Sequence, residues 1–240
     1  MTHTAVAFSG GKDSTAMALM LADAGEDFVL LFTPAGNEPP ELFTHIRDVA
    51  TLVGKPLIQP DNRPLDFWIN HHQALPSWRM RWCTRSIKIE PCIVWLKQHP
   101  GTTLCVGLRA DEEARVGLYG DYATYRYPLR EQGMTEADVL DYLACRGVTV
   151  PARTNCLLCY DQQLGEWWEL WKERPDEWAK GEAYEAMTGH SFRSPGRDTW
   201  PAQMTELRAR FEAGEIPRGV ELNFALFPDA VPTRCSVCTK

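Results

Sequence analysis

The chain has 240 residues, of which 44% are hydrophobic and 24% charged, and its formal net charge is −7 at pH 7. This composition is typical of a folded globular protein, and the acidic balance argues against non-specific coating of nucleic acid, which depends on Lys and Arg facing phosphates. No apolar run reaches the roughly 20 residues of a membrane span and no signal segment begins the sequence, so we expect a cytoplasmic protein with no membrane partner.

The first half of the chain alternates strand-like and helix-like segments. In chain order, the pattern predicts a strand at 4–8, a helix at 14–24, a strand at 28–33, a helix at 40–53, a strand at 56–59, a helix at 86–98 and a strand at 103–108. A capping-box sequence at 135–138 predicts a further helix that ends near Arg146. Such alternation indicates an α/β fold with a doubly wound, mostly parallel sheet, in which ligands bind beyond the carboxyl ends of the strands.

The pattern changes after Pro151, because no further strand is predicted and residues 162–187 and 200–213 have helical periodicity with many Trp and Glu. We therefore predict two domains, an α/β domain over 1–150 and a C-terminal helical annex with a mobile tail over 151–240. The Trp-rich stretch from Glu166 to Trp178 fits the packing of helices better than a cofactor site.

A glycine-rich segment, Ser9-Gly10-Gly11-Lys12-Asp13-Ser14, joins the first predicted strand to the first predicted helix. Two glycines allow a tight turn and a close approach to a ligand, and a helix start directs N–H groups at an anion. The two serine hydroxyls add donors and the lysine adds a positive charge. The segment therefore predicts a pyrophosphate site and lacks the longer spacing of a Walker A loop; an ordinary Gly-Gly turn is the alternative.

This segment resembles the SGGxDS signature of the PP-loop superfamily, which is adenine nucleotide α-hydrolase-like. Members cleave ATP between the α- and β-phosphates to adenylate a substrate, or bind a sulfonucleotide as the phosphoadenylyl-sulfate (PAPS) reductases do. Residues 36–41 are similar to that branch's D-T-G-x-x-x-P-E-T segment, although Pro34 replaces the Asp and Leu42 the final Thr. Residues 107–115 are similar to its G-x-R-x-x-E-x-x-R segment, and 127–143 to its P-L-x-x-W-x-x-x-D-V-x-x-Y-L stretch.

The resemblance covers residues 5–160 and implies ATP and Mg²⁺ as ligands, with Lys12, Asp13 and Cys83 as catalytic residues. Asp13 is the expected magnesium ligand, directly or through water. The implied nucleotide-binding residues are Ser9, Gly10, Gly11, Lys12, Asp13, Ser14, Gly36, Lys88, Gly107, Arg109 and Arg115. For the two arginines the reason is chemical as well, because a planar guanidinium suits bidentate phosphate contacts.

Residues 77–88 concentrate four cationic side chains and two tryptophans around Cys83. Cations bind phosphates, and indole faces stack on bases. The family counterpart is a C-C-x-x-x-K segment, in which Trp82 here takes the place of the first Cys. The alternative is a helix start with exposed arginines and a buried tryptophan.

Two CxxC pairs, Cys156/Cys159 and Cys235/Cys238, have a spacing that lets two thiolates reach one metal. The resemblance to iron–sulfur tRNA thiolation enzymes implies that Cys83, Cys156 and Cys159 hold a [4Fe–4S] cluster with one open iron. In the alternative, the two pairs form a Cys₄ Zn²⁺ site. We favour the cluster because Cys83 lies in the presumed active-site segment, whereas the last pair lies on a mobile tail.

Three functions remain open from the sequence. The first is an ATP-dependent adenylating sulfurtransferase, favoured because the Gly-Gly-Lys-Asp core is complete. The second is a PAPS or adenylyl-sulfate reductase that uses a thiol reductant, although the E-C-G-L-H tail of such enzymes is absent from the sequence. The third is a nucleotide-binding or redox-sensing regulator without turnover. A sulfur donor is implied, the acceptor is a nucleic-acid base or backbone or a small molecule, and a homodimer is left open.

Overall fold

A computed structural model describes residues 4–112, 115, 119–218 and 220. The described chain divides into two compact units. The first unit contains the residues up to Asn62 and those from Ser86 to Thr154, and the second contains Arg63–Arg85 and the residues from Asn155 onwards. The segment Arg63–Arg85 thus groups with the C-terminal part of the chain, although it lies within the predicted 1–150 domain.

The first unit is an α/β fold with a five-stranded, wholly parallel sheet, which confirms the predicted fold class. The strands are β1 (Thr4–Ala7), β2 (Val29–Leu31), β3 (Leu57–Ile58), β4 (Thr103–Cys105) and β5 (Thr124–Arg126), in the spatial order β3-β2-β1-β4-β5. From β1 the sheet continues through β2 to β3 on one side, and the chain then returns to add β4 and β5 on the other side of β1. The crevice beyond the carboxyl ends of β1 and β4 is therefore the topological switch point, where ligands bind in such sheets.

Both faces of the sheet are buried, as expected for parallel strands joined by helical crossovers. The helices of this unit are α1 (Lys12–Asp23), α2 (Pro40–Val53), α4 (Glu90–Gln98), α5 (Pro128–Glu131) and α6 (Glu136–Cys145). Val6, Leu30 and Cys105 face a core that contains α1, α2 and α6, whereas Leu31 and Leu104 face Leu96 of α4. Helix α1 packs against α2, α5 and α6, so its apolar residues are buried nearly all round.

Local sequence signals explain several helix boundaries. The predicted helix at 40–53 begins with Pro40 at its first position, where the missing N–H costs nothing. The predicted capping box is present, because the Thr135 side chain accepts from the Asp138 N–H while the Asp138 carboxylate accepts from the Thr135 N–H. The predicted helix at 86–98 begins with a π-helical segment, Thr84–Ile89, that precedes α4.

The second unit is helical and contains α3 (Leu65–His72), α7 (Leu164–Glu173), α8 (Pro175–Thr188) and α9 (Met204–Glu212). The predicted continuous helix at 162–187 is wrong in one respect, since Pro175 divides it into α7 and α8; proline cannot continue a helix but is accepted at its first turn. Trp167 and Trp178 are buried 6.3 Å apart between ring centroids, which supports the packing role expected for the Trp-rich stretch. Within the described residues, no helix is long and apolar enough to cross a membrane.

Candidate functional site

The glycine-rich segment forms the connection between β1 and α1 at the switch point of the sheet. Gly10 has a φ of +74°, and a Cβ there would lie 2.7 Å from Leu42 Cδ1 and 2.8 Å from Ile46 Cγ1. Glycine is therefore required at this position by both the backbone and the packing of α2. Gly11 has an ordinary φ of −75°, and its nearest neighbours would be 3.4 Å or more from a Cβ. A Cβ at the second glycine would therefore make only ordinary van der Waals contacts.

The two serine hydroxyls hold the loop in shape. The Ser14 hydroxyl accepts a hydrogen bond from the Ser9 N–H at 3.2 Å and donates to the Gly11 carbonyl at 3.1 Å. The Ser9 and Ser14 hydroxyls are themselves 3.2 Å apart. Because the Ser14 hydroxyl already donates its proton to the Gly11 carbonyl, it fixes the shape of the loop. In this arrangement it is not the additional donor to a pyrophosphate that the sequence had predicted.

The start of α1 is open to an anion. The first N–H groups of an α-helix have no intrahelical acceptor, and at α1 no side chain caps them. The Lys12 ammonium lies 3.3 Å from Asp13 and 3.1 Å from Glu136. A partly positive helix end and a lysine thus converge at the loop, which is the arrangement that binds phosphate groups.

Asp13 carries the electrostatic connection from α1 to the segment after β4. Its Oδ2 accepts from Arg109 at 3.0 Å, while its buried Oδ1 has no hydrogen-bond partner among the described residues. An unsatisfied buried carboxylate oxygen is costly unless something binds it. Asp13 therefore fits the magnesium-ligand role predicted for it, since Mg²⁺ in nucleotide sites uses one or two carboxylates together with substrate phosphates.

Arg109 is largely occupied by carboxylates of its own unit. Its guanidinium contacts Asp111 through two nitrogens, at 2.9 and 3.2 Å, as well as Asp13. The hydrogen bonds to Asp111 and the charge of Asp13 raise the pKa of Arg109. The side chain is nearly buried, so it holds the loop after β4 against α1. A phosphate would have to displace one of these carboxylates to be clamped by Arg109.

The remaining predicted nucleotide residues lie in different settings. A Cβ at Gly107 would lie 3.3 Å from the backbone of Asp13 and Ser14, so this glycine permits close packing of the segment after β4 on α1. Arg115 is exposed and paired with Glu112. Gly36 has a φ of +69° in a turn whose backbone N–H groups at Ala35 and Asn37 donate to the buried Glu38 carboxylate. Glu38 lies inside the segment 36–41 but was not among the predicted site residues.

A cavity adjoins the loop at the carboxyl ends of β1 and β2. Described residues that line it include Ser9, Thr33, Glu38, Lys88, Cys92 and Tyr119. The lining also includes four apolar residues, Phe8, Leu31, Phe32 and Leu42. Burial raises the pKa of the Cys92 thiol to about 11, so Cys92 is a neutral lining residue. Of the predicted nucleotide-binding residues, Ser9 and Lys88 line this cavity. Thr33, Cys92 and Tyr119 also line it, but no local sequence pattern predicted a binding role for them.

The three cysteines predicted to hold the cluster, Cys83, Cys156 and Cys159, all lie in the second unit. The Arg81 guanidinium hydrogen-bonds the Tyr160 hydroxyl, which also interacts with Cys83 and Cys159. Over the residues described, no group of three or more His, Cys, Asp or Glu side chains is arranged to hold a metal ion. The [4Fe–4S] cluster on Cys83, Cys156 and Cys159 therefore stays a prediction. Cys235 and Cys238 lie outside the described residues, so the Cys₄ alternative stays a prediction.

The fold and the loop together define a class of protein. A parallel sheet whose first strand ends in an SGGKDS loop, at the open start of the next helix and at the switch point, is a PP-loop nucleotide-binding fold. Residues 3–117 match the family model described as the phosphoadenosine phosphosulfate reductase domain, so this part of the chain is similar to the PAPS reductase family. The PP-loop class implies an adenine nucleotide as the ligand of the loop.

Three proteins are similar to this chain in sequence or in fold. An uncharacterized protein of Methanocaldococcus jannaschii is 25% identical over 202 residues, covering 74% of this chain and 40% of the relative; the chain thus spans two fifths of that relative's length. The crystal structure of PAPS reductase from Candida auris in a phosphate complex has a TM-score of 0.48 at 15% identity, covering 62% of this chain and 75% of that one. The U34-tRNA thiolase NcsA from Methanococcus maripaludis, solved with its [4Fe-4S] cluster, has a TM-score of 0.43 at 15% identity, and the match covers 100% of this chain and 80% of that one.

Proposed function

We propose that this protein binds ATP at the glycine-rich loop and adenylates an acceptor for sulfur transfer. The observation that carries the proposal is the uncapped start of α1 beside Lys12, in a loop with the complete Ser-Gly-Gly-Lys-Asp-Ser sequence. A pyrophosphate is the ligand that this combination suits, because backbone N–H groups, the helix end and a lysine all favour closely spaced negative charge.

Each residue of the loop has a separate part in this proposal. Gly10 and the hydroxyls of Ser9 and Ser14 set the backbone, so that the N–H groups at the start of α1 point at the phosphates. Lys12 exchanges its contact with Glu136 for phosphate oxygens. The nucleoside then occupies the cavity beyond β1 and β2. Asp13 would hold Mg²⁺ through Oδ1, and that ion would neutralise charge on the phosphates.

The reaction proposed is an adenylyl transfer followed by displacement. An acceptor oxygen forms a bond to the α-phosphorus while the bond from that phosphorus to the bridging oxygen breaks, and pyrophosphate leaves. A sulfide donor then attacks the activated carbon or phosphorus, and AMP departs with the acceptor oxygen. A persulfide donor would displace AMP in the same way but leave a disulfide to the acceptor, which a thiol reductant cleaves to release the thiolated acceptor and the donor thiol. Positioning and charge neutralisation supply most of the rate enhancement in such transfers.

A sulfonucleotide reductase is the second candidate, and the match of residues 3–117 to the PAPS reductase domain favours it. In that reaction a cysteine thiolate attacks the sulfonyl sulfur, the nucleotide leaves, and a thiol reductant releases sulfite. Reductases of this kind carry that thiolate in a C-terminal tail, and the cysteines predicted for the same task here, Cys235 and Cys238, lie outside the described residues. The catalytic role of Cys83 and its participation in a [4Fe–4S] cluster remain predictions for both candidates.

The experiment that separates the two candidates measures products from two substrates. Anaerobically purified protein is incubated with ATP and Mg²⁺, once with water as the acceptor and once with total RNA as a source of acceptor oxygens, and pyrophosphate is measured; a parallel sample with PAPS or adenylyl sulfate and thioredoxin is assayed for sulfite. Pyrophosphate release supports the adenylating enzyme, and sulfite release supports the reductase. Absence of both products would overturn the proposed activity and favour the regulator. Absorbance near 400 nm, which iron–sulfur clusters give, would support a cluster instead of zinc.

The variant controls in the first assay use two lysines of the same unit. Lys12→Met removes the charge at the loop, whereas Lys97→Met removes an exposed charge from α4. We expect pyrophosphate release to fall at least tenfold in the first variant and to stay at the wild-type rate in the second. Equal rates in the two variants would contradict the assignment of the loop as the site of ATP cleavage.

A further inference from the structure

The second unit contains a cavity of about 610 Å³ that has no part in the nucleotide loop. This volume is within the roughly 300–1,000 Å³ typical of ligand sites. One side of the cavity is formed by the turn at residues 77–80, and the other by residues 189–195 after α8. All of the described lining residues belong to this unit.

The turn at 77–80 presents an aromatic and a cationic side chain at its tip. The Ser77 N–H donates to the Met80 carbonyl at 3.1 Å, and the Met80 N–H donates to the Ser77 hydroxyl at 3.2 Å. These two bonds close the turn at its base. Trp78 is 59% exposed and Met80 48% exposed, although tryptophan is usually well buried in folded proteins. A large apolar surface held outward in this way indicates a binding role.

The opposite wall is fixed by two buried charged residues. Glu185 of α8 accepts hydrogen bonds from the Phe192 N–H at 3.0 Å and from the Met204 N–H at 2.6 Å. Arg193, which is 2% exposed, donates to the carbonyls of Trp200 and Pro201. The segment that carries His190 is therefore anchored on both sides. A wall that is ordered before binding reduces the entropy lost when a ligand binds.

The charges around the cavity favour an anion. Among the described lining residues, Arg79 is positive and none is acidic. Arg81 and Arg85 are exposed in the same unit a few residues further along the chain. An exposed indole next to cationic side chains is the combination that binds unpaired nucleotides, since bases stack on aromatic faces and cations contact the phosphates.

We propose that this cavity binds an unpaired nucleotide of a single-stranded nucleic acid. The base stacks on Trp78 and contacts Met80, while Arg79 and His190 contact the adjacent phosphates. Single strands are favoured over duplexes because duplex bases are already stacked, and because the net charge of −7 opposes extended contact with a polyanion. The binding needs no ATP and extends beyond the proposed adenylation, for which it would offer a nucleic-acid acceptor.

The test is fluorescence anisotropy with labelled ten-nucleotide strands of DNA and RNA, and with the duplex of the same sequence, in the absence of ATP. The full chain is compared with Trp78→Ala, Trp78→Phe and Arg79→Gln. Phe67→Ala and Arg208→Gln are matched controls, because both residues are exposed in the same unit and neither lines the cavity. Circular dichroism checks that each variant is folded.

We expect Trp78→Ala to weaken single-strand binding about tenfold or more, Trp78→Phe to retain most of the affinity, and the controls to match the wild type. Arg79→Gln should reduce the slope of log affinity against log salt by about 0.7, the value for one phosphate contact on a single strand. Wild-type affinity in both Trp78→Ala and Arg79→Gln, tighter binding of the duplex, or no binding of any strand would each overturn the proposal. Lys12→Met should bind the strands normally, which separates this result from any failure of the proposed ATP chemistry.

Discussion

Replacement of each loop glycine by alanine tests the geometry of the nucleotide loop. At Gly10, alanine would adopt a φ of +74° and place its Cβ 2.7–2.8 Å from Leu42 and Ile46. A left-handed conformation costs an L-residue about 1–2 kcal/mol, and overpacking of a core costs about 1–3 kcal/mol. We therefore expect Gly10→Ala to lower the free energy of unfolding by about 2–5 kcal/mol.

Gly11→Ala is the matched control one residue further on. Its φ of −75° suits any residue and its surroundings leave room for a methyl group, so the main cost is the poorer N-cap preference of alanine, about 1 kcal/mol or less. Urea unfolding followed by far-ultraviolet circular dichroism measures both variants. Equal destabilisation of the two variants, or a Gly10→Ala protein within 0.5 kcal/mol of wild type (a margin of about the size of ordinary surface effects), would refute this geometry.

Three further predictions concern charges. Glu136→Gln removes one of the two carboxylates beside Lys12. ATP should then bind up to about fivefold tighter by calorimetry, since exposed ion pairs are worth about 0.2–1 kcal/mol, and weaker binding would contradict this. Burial lowers the pKa of His45, so the contribution of the neutral imidazole to stability is present above pH 6.5 and is lost as the pH falls. In urea unfolding, the free energy of unfolding of His45→Gln should therefore fall less than that of the wild type below pH 6.5. An equal fall in the two proteins would be evidence against this role. Burial raises the pKa of Glu185 from 4.5 to about 7, so the contribution of this residue to stability is greatest below pH 4.5 and is lost as the pH rises to 7, by roughly 3 kcal/mol at 1.36 kcal/mol per pKa unit. Glu185→Gln should lack this part of the pH dependence, and a pH profile equal to that of the wild type would refute the assignment.

Elements with strong local signals were predictable from the sequence. The helix at 40–53 has proline at its start and a glycine just after its end, and the helix after Thr135 has its capping box. By contrast, α3 was missed because it is short and its apolar spacing is irregular. Strand β5 was also missed, since Thr124–Arg126 is three residues long and becomes a strand only by pairing with β4. Such pairing depends on residues distant in sequence.

The same distinction applies to the sites. The glycine loop was predictable because its six residues are contiguous and follow a strand. The carboxylates that occupy Arg109 were not, because the contact with Asp13 joins residues 96 positions apart. The cavity beside Trp78 also required the structure, since residues 77–80 and 189–195 are brought together by the fold. The sequence indicated the cations and tryptophans of that segment but not the wall opposite them.

The most direct test of the central claim is calorimetric titration with α,β-methylene-ATP and Mg²⁺, because binding of this analogue requires neither an acceptor nor a sulfur donor. Charge-assisted contacts are worth about 1.5–3 kcal/mol, so Lys12→Met should weaken binding by roughly 10- to 100-fold, whereas Lys97→Met should bind the analogue as the wild type does. Equal affinity of the wild type and Lys12→Met, or no binding to the wild type, would contradict the assignment of the loop as the ATP site.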